Sequence, residues 1–354
     1  MSTNKHVLLI CPGFPASEDD SLAVPYLQDM LHAFKDHHTD VVFSIIAMDY
    51  PYTTDNYTFI SSTIYPLNGQ NGSFLKKPML VKKGLSVTKK INGMHAIDLV
   101  HSFWLGPTTW LGNAISKQLS IPHLAHAMGQ DVLKSNRYLP FIQWKVIDRL
   151  AYLSLFHQKQ STISKETEYF LPFGVCSKRV LAVNTDKDID ILGVGSFIAL
   201  KQFDLWLETV AQISKHQPNI KAVLIGDGPL KQDLQALLVE LGLSENIQLV
   251  GSKDRDEVFS YMKRSKVLLH PSKYESMGMV FFEALAHHMC IVSFEVGSAT
   301  KQAAWFIAKT SEGLITQCQQ ALDQAKNRIE FPDKYSASAT TQAIYDVYID
   351  MLSP

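Results

Sequence analysis

Pro271-Ser-Lys-Tyr-Glu275-Ser-Met-Gly278-Met-Val-Phe-Phe-Glu283-Ala-Leu-Ala286 follows the apolar run Val267-Leu-Leu-His270. The run reads as a buried parallel strand, and Met277 to His288 as the helix that leaves it. Two glutamates, eight residues apart, therefore straddle a strand-to-helix junction. Glu275 falls in the loop and Glu283 in the second helical turn. Met277, Gly278 and Met279 occupy the helix N-terminus, where backbone N–H groups lack partners and carry the positive end of the dipole. Such an end suits a diphosphate, and Gly278 has no side chain to keep a ligand from the backbone. Glu283 can accept hydrogen bonds from the vicinal hydroxyls of a ribose, and Glu275 from those of a sugar. The plain alternative is a surface loop and an amphipathic helix carrying two solvated acids.

Outward from this junction, strand and helix alternate. Ile189–Gly195, Ala222–Gly226, Ile247–Gly251 and Cys290–Phe294 read as strands. Phe203–His216, Leu230–Leu241 and Glu257–Arg264 read as helices, with final helices at about 311–327 and 337–351. The first half repeats the alternation, with strands at His6–Cys11, Val41–Met48, Asp98–Phe103 and Pro122–Ala127. Its helices read as Leu22–Phe34, Gly106–Leu119 and one long buried helix over Leu139–His157. Such alternation argues for parallel sheets covered on both faces. A chain of 354 residues suits two domains of about 150–200 residues each. The seam is expected in Leu171–Val175 and the polar stretch Asn184–Asp190.

Pro271, Ser272, Glu275, Gly278, Glu283 and Ala284 together resemble the Glu-x7-Glu signature of retaining glycosyltransferases of family 4. Gly195-Ser-Phe-Ile-Ala-Leu-Lys201 resembles that family's Gly-Arg-Leu-x-x-x-Lys-Gly element, and Leu224-Ile-Gly-Asp-Gly-Pro229 its Gly-x-Gly-Pro turn. Asn246–Gly251 and Pro172–Val175 resemble two further family segments. The likeness is specific from about residue 170 to 295 and mainly topological before that. It implies an α/β chain of GT-B fold, two Rossmann-like doubly wound domains facing across a cleft. Residues 1–175 would bind the acceptor, 176–330 the nucleotide sugar, and the helix in 331–354 would pack back on the first domain.

By position, the resemblance gives Lys201 to the diphosphate, Glu283 to the donor ribose and Glu275 to the transferred sugar. Gly278 and Met279 would meet phosphate or sugar through their N–H groups, beside Met277, and Gly226 and Gly228 would flank the base. Ser196 stands where the family has arginine, and Ser298-Ala-Thr-Lys301 replaces its glycine pair and glutamate. In the first half, Gly13 resembles a glycine loop near the reacting centre. His101 and His126 follow strands and are candidates to hydrogen-bond the sugar or assist the leaving phosphate. Ala127-Met-Gly-Gln-Asp131 resembles a His-Gly-x-Asp turn, with Met128 in the histidine position. Each of these candidates in the first half has a purely structural alternative.

The implied activity is transfer of a hexose, with retention, from a UDP-sugar or GDP-mannose to an acceptor hydroxyl, in cell-surface polysaccharide or glycolipid synthesis. The family's front-side attack, in which the leaving phosphate helps deprotonate the acceptor, needs no protein nucleophile. The alternative is a non-catalytic sugar-nucleotide-binding protein of the same fold, kept open by Ser196 and the altered stretch after Gly297. No cofactor and no metal is expected, since Asp186-Lys-Asp188 and Asp188-Ile-Asp190 match a metal-binding Asp-x-Asp element only as spacing, in the expected linker. A nicotinamide oxidoreductase is disfavoured, because no Gly-x-Gly-x-x-Gly follows the first strand.

The net charge of −1 gives no field toward nucleic acid. Cys11, Cys176, Cys290 and Cys318 form no Cys-x-x-Cys pair and read as reduced thiols. With no signal-peptide pattern and no run of about 18 apolar residues, the expectation is a cytoplasmic protein. One segment stands apart. Between Ser73 and Lys90 there are six lysines and no acid, interleaved with Leu75, Met79, Leu80, Leu85 and Val87. It reads either as a solvated loop or as an amphipathic basic stretch docking at the inner face of an anionic membrane through Lys76–Lys90.

Overall fold

A computed structural model describes residues 4–21, 23–163, 168–176, 187–325 and 331–353. Leu22, residues 184–186 of the expected seam, Asp186 among them, and the end of the helix expected to reach Asn327 lie outside the described residues. The chain divides into two compact units, 1–174 with 337–354, and 175–336.

In the first unit the elements run β1 (Lys5–Gly13), α1 (Pro25–His37), β2 (Val41–Tyr50), β3 (Tyr57–Phe59), β4 (Ser62–Pro66), α2 (Lys77–Met94) and β5 (Leu99–Phe103). They continue with α3 (Pro107–Leu119), β6 (His123–His126), β7 (Arg149–Tyr152), α4 (Leu155–Gln160) and β8 (Glu168–Phe170). The sheet order is β3-β4-β2-β1-β5-β6-β7-β8, parallel throughout except for the β3–β4 pair. The central strands are buried on both faces, with Val7 to Cys11 and Leu99 to Phe103 each at most 1% exposed. That continuous burial is why β1 reads as an unbroken apolar run, while β5 encloses His101 and Ser102 among its apolar residues.

In the second unit β9 (Ile189–Val194), α5 (Phe203–Ser214), β10 (Ala222–Ile225), α6 (Lys231–Glu240), β11 (Ile247–Gly251) and α7 (Arg255–Arg264) follow. Then come β12 (Ser265–His270), α8 (Met279–Ala286), β13 (Cys290–Ser293), β14 (Trp305–Ile307) and α9 (Ser311–Gln324). The order β11-β10-β9-β12-β13-β14 is that of a Rossmann sheet, with its switch point between β9 and β12. Trp206, Phe281 and Trp305 fill its core as fully buried rings.

The last helix, α10 (Ala337–Leu352), belongs to the first unit. Tyr348 stacks on Phe34 at 5.8 Å and Tyr345 on His38 at 4.1 Å, both rings reaching α1 or the residue that ends it. The Tyr345 hydroxyl donates to Asp40 (2.9 Å).

Two expectations are corrected. Leu139–His157 is not one helix. Short turns at Leu139–Phe141 and Trp144–Val146 precede β7 and α4. Pro140 interrupts the pattern, and the Asp148 carboxylate accepts the His123 N–H (2.8 Å), which seats β7 beside β6. A short apolar run such as Leu150-Ala-Tyr152 carries no periodicity that separates strand from helix. The lysine-rich segment is not a loop. From Lys77 on it is the helix α2, with Leu80, Val81, Gly84, Thr88 and Ile91 buried along one stripe. Lys77 itself is buried and pairs with Asp49 at 2.8 Å.

Candidate active site

The switch point of the second sheet gathers the residues the sequence singles out. After β9, the Gly195 N–H donates to Ile225 O (3.0 Å) and the Phe197 N–H to Asp227 O (2.8 Å), which laces this loop to the one after β10. Gly226 lies in that lacing, where a Cβ would run into the carbonyl oxygen of Gly195, so no larger residue fits without backbone movement. Gly228 sits equally close to the backbone of Phe197. A short turn then presents Lys201.

After β12, the Lys273 N–H donates to Leu200 O (2.9 Å), tying the two loops across the switch point. The consequence is an ion pair between Lys201 Nζ and Glu275 Oε1. His270, the last residue of β12, donates from Nε2 to the same oxygen (2.6 Å). Its ring stands edge-on to Phe281 at 5.1 Å. Glu275 and Lys201 keep 12% and 20% of their side chains exposed, so the pair can still be approached. Burial pushes the Glu275 carboxyl up, but His270 and then Lys201 outweigh it and hold the group down at about 2.

Gly278 caps α8 at φ 80°, in the left-handed region, and a Cβ there would strike the Phe281 ring. Met277 turns its side chain into the core, and its carbonyl accepts the Ser298 N–H (2.9 Å). Thus the altered stretch after Gly297 is docked beside the α8 N-terminus. Met279 opens the helix and Glu283 follows on its second turn. Arg255 meets Glu283 there, Nη2 to Oε1 at 3.5 Å. Arg255 is buried, opens α7 behind the Asp254–Glu257 capping box, and lies over Phe259 at 5.2 Å. No motif marks this arginine in the sequence, and only the fold brings it to Glu283. Ser196, by contrast, is exposed on the loop after β9.

In the first unit, Gly13 ends β1 beside Tyr50, and the Phe14 N–H donates to Tyr50 O (3.0 Å). His101 and His126 do not project beyond the strands. His101 lies at the middle of β5 and His126 at the end of β6, and both are fully buried. Their rings are nearly parallel at 5.5 Å, with His101 Nε2 3.3 Å from His126 Nδ1. His101 Nδ1 meets the Tyr348 hydroxyl of α10 (2.7 Å), and Phe173 stacks on His126 (5.4 Å). Burial, followed by the neighbouring imidazoles, holds His101 well below its ordinary value. Burial, then His157, brings His126 to about 3. Both are therefore neutral at physiological pH. The Asp131 carboxylate accepts the N–H groups of Leu105 (2.7 Å) and Met128 (3.2 Å), and so organises a turn.

Known proteins resemble the chain in sequence and in fold. Residues 178–331 match the family model described as glycosyl transferases group 1. An uncharacterized glycosyltransferase of Methanocaldococcus jannaschii is 29% identical over 216 residues. That alignment spans 60% of this chain and 60% of the relative, less than two thirds of its length. Sucrose-phosphate synthase from Thermosynechococcus elongatus superposes with a TM-score of 0.73 at 14% identity, over 98% of this chain and 99% of that one. Anabaena HepE, solved in complex with UDP, superposes with a TM-score of 0.66 at 15% identity, over 98% and 100%. The likeness to the glycosyl transferases group 1 family accordingly rests on residues 178–331, within a chain that has the two-unit GT-B fold.

Proposed function

We propose that the protein transfers a hexose from a nucleotide-diphosphate sugar to the hydroxyl of a saccharide or lipid-linked acceptor, with retention of configuration. The observation that carries this reading is the Lys201–Glu275–His270 cluster, set at the switch point of the second sheet and beside the N-terminus of α8. Lys201 supplies the cation for the departing diphosphate, helped by the N–H groups at Gly278 and Met279. Glu275, held ionised, accepts from hydroxyls of the transferred sugar. Glu283, oriented by Arg255, accepts from the donor ribose. Gly226 and Gly228, by letting the loops after β9 and β10 lie close together, shape the rim against which the base would lie. UDP is the first nucleotide to try, given the UDP bound to HepE.

In the structure Lys201 is paired with Glu275. A diphosphate arriving at Lys201 shares that ammonium or displaces the carboxylate, which frees Glu275 for sugar. With the leaving group neutralised by Lys201 and the helix N-terminus, the donor needs no divalent cation. Activity is therefore expected to survive excess EDTA with less than a twofold change. A collapse that Mg²⁺ or Mn²⁺ restores contradicts this part of the reading. The stereochemical claim is checked by following the anomeric proton of the product by NMR: the product keeps the donor's configuration, and an inverted anomer refutes retention.

A further inference from the structure

We propose that donor binding is coupled to protonation of His270. The arriving diphosphate takes Lys201 from Glu275, and His270 takes up a proton from solvent to replace that cation. This deepens the transferase reading and rests on it. Lys201 and His270 meet the same carboxylate oxygen, Glu275 Oε1, His270 from 2.6 Å. The two partners differ in freedom. Lys201 reaches the oxygen on a flexible four-carbon stem that is partly exposed. His270 is buried, ends β12 and stands edge-on to Phe281. The loop between His270 and Glu275 is held as well, with Ser272 Oγ donating to Tyr274 O (2.9 Å). When one partner leaves the carboxylate, it is Lys201.

An ionised carboxylate only accepts, so Nε2 carries the hydrogen and the neutral ring leaves Nδ1 bare. Among the described residues, Nδ1 has no hydrogen-bond partner. A second proton there finds no acceptor, which disfavours it while Lys201 supplies the cation. Moving Lys201 to a diphosphate reverses the balance. A largely buried carboxylate then faces new negative charge with no cation of its own, which costs more than one unsatisfied N–H. A proton on Nδ1 makes His270 an imidazolium beside Glu275 and keeps that carboxylate ionised for the sugar hydroxyls.

The surroundings offer the proton no better place. Among the described residues, His270 and Lys201 are the charged or titratable groups that bear on Glu275. Beside His270, β13 sets the uncharged Ser293, and β9 is apolar at Ile191 and Leu192. The helix α8 contributes Phe281, and its acid Glu283 is met by Arg255. Lys273 and Glu295, on the loops after β12 and β13, are exposed.

The test is calorimetric titration of the full chain with UDP, GDP and ADP at pH 7.5, in HEPES and in Tris, two buffers of unequal ionisation heat. The nucleotides are already ionised there, since a terminal phosphate titrates at about pH 6. The wild type is expected to take up about half a proton or more per nucleotide bound. The complex then holds more protons than its free parts, so affinity falls as pH rises, by about threefold or more from pH 7.5 to 8.5. His270→Gln keeps a donor toward Glu275 but cannot become a cation, and is expected to bind without measurable uptake. Lys201→Ala is expected to bind more weakly and also without uptake, because its His270–Glu275 pair already holds the proton. Wild-type binding without proton uptake, or equal uptake in His270→Gln, overturns this inference and leaves the donor site standing. Failure of all three nucleotides to bind the wild type overturns the transferase reading and this inference with it.

Discussion

Lys201→Ala is expected to lower the transfer rate by about 10²–10³-fold, while the fold persists. One preorganised donor aimed at developing charge is worth that much when removed. The family arginine that would share the load is Ser196 here, so in the proposed reading Lys201 shares it with the helix N-terminus. The loss should fall mainly on kcat, since charge builds on the diphosphate as the sugar leaves. A second readout comes from Glu275. Its carboxyl is held at about 2, against burial, by His270 and Lys201. A group with a lowered folded pKa contributes stability that is full above its unfolded value of about 4.5 and is lost as pH falls toward 2. Without Lys201 the folded value rises, so this acid-side contribution shrinks. Melting between pH 5 and pH 2.5 should show the variant losing less stability across that window than the wild type. An unchanged rate would remove Lys201 from the chemistry, whatever the melting shows.

The second large effect is on the stability of the first unit. His101 and His126 lie buried side by side, both far below their unfolded value of about 6.5. Above pH 6.5 both states are neutral and stability is full. As pH falls from 6.5 toward 3, the unfolded chain takes up protons that the folded chain refuses. Each histidine then costs about 1.4 kcal/mol per pH unit. The melting temperature should therefore drop steeply from pH 6.5 to 4.5, above the window in which Glu275 acts. Burial also holds His6, His38, His157 and His287 below their ordinary value, so His126→Gln is expected to make that drop measurably shallower without removing it. An equally steep profile in the variant would show that the pair does not govern the acid limb.

The second unit was legible because its short apolar runs end in the glycines and the glutamate loop of the candidate site. Ile189–Val194 runs into Gly195, Ala222–Ile225 into Gly226, and Val267–His270 into the loop of Glu275. The first unit was harder for identifiable reasons. On α2 the buried stripe passes through Gly84 and Thr88, so it does not register as an apolar face, while the lysines do. In the second unit, Trp305-Phe-Ile307, the edge strand β14, went unread because it is too short to carry a pattern. The two histidines looked available because they follow apolar runs. In a strand buried on both faces, however, alternation cannot tell an inward ring from an outward one. Arg255 had no signal at all, because its partner Glu283 is 28 residues away.

The central claim, that the second unit holds a nucleotide-diphosphate sugar, is tested most directly by calorimetric titration with UDP, GDP, ADP and the matching hexose donors. One nucleotide series is expected to bind the wild type. The affinity should fall about 10–100-fold in Glu283→Ala, the loss of a charge-assisted acceptor on the ribose. Failure of every nucleotide and donor to bind the wild type at millimolar concentration would contradict the account.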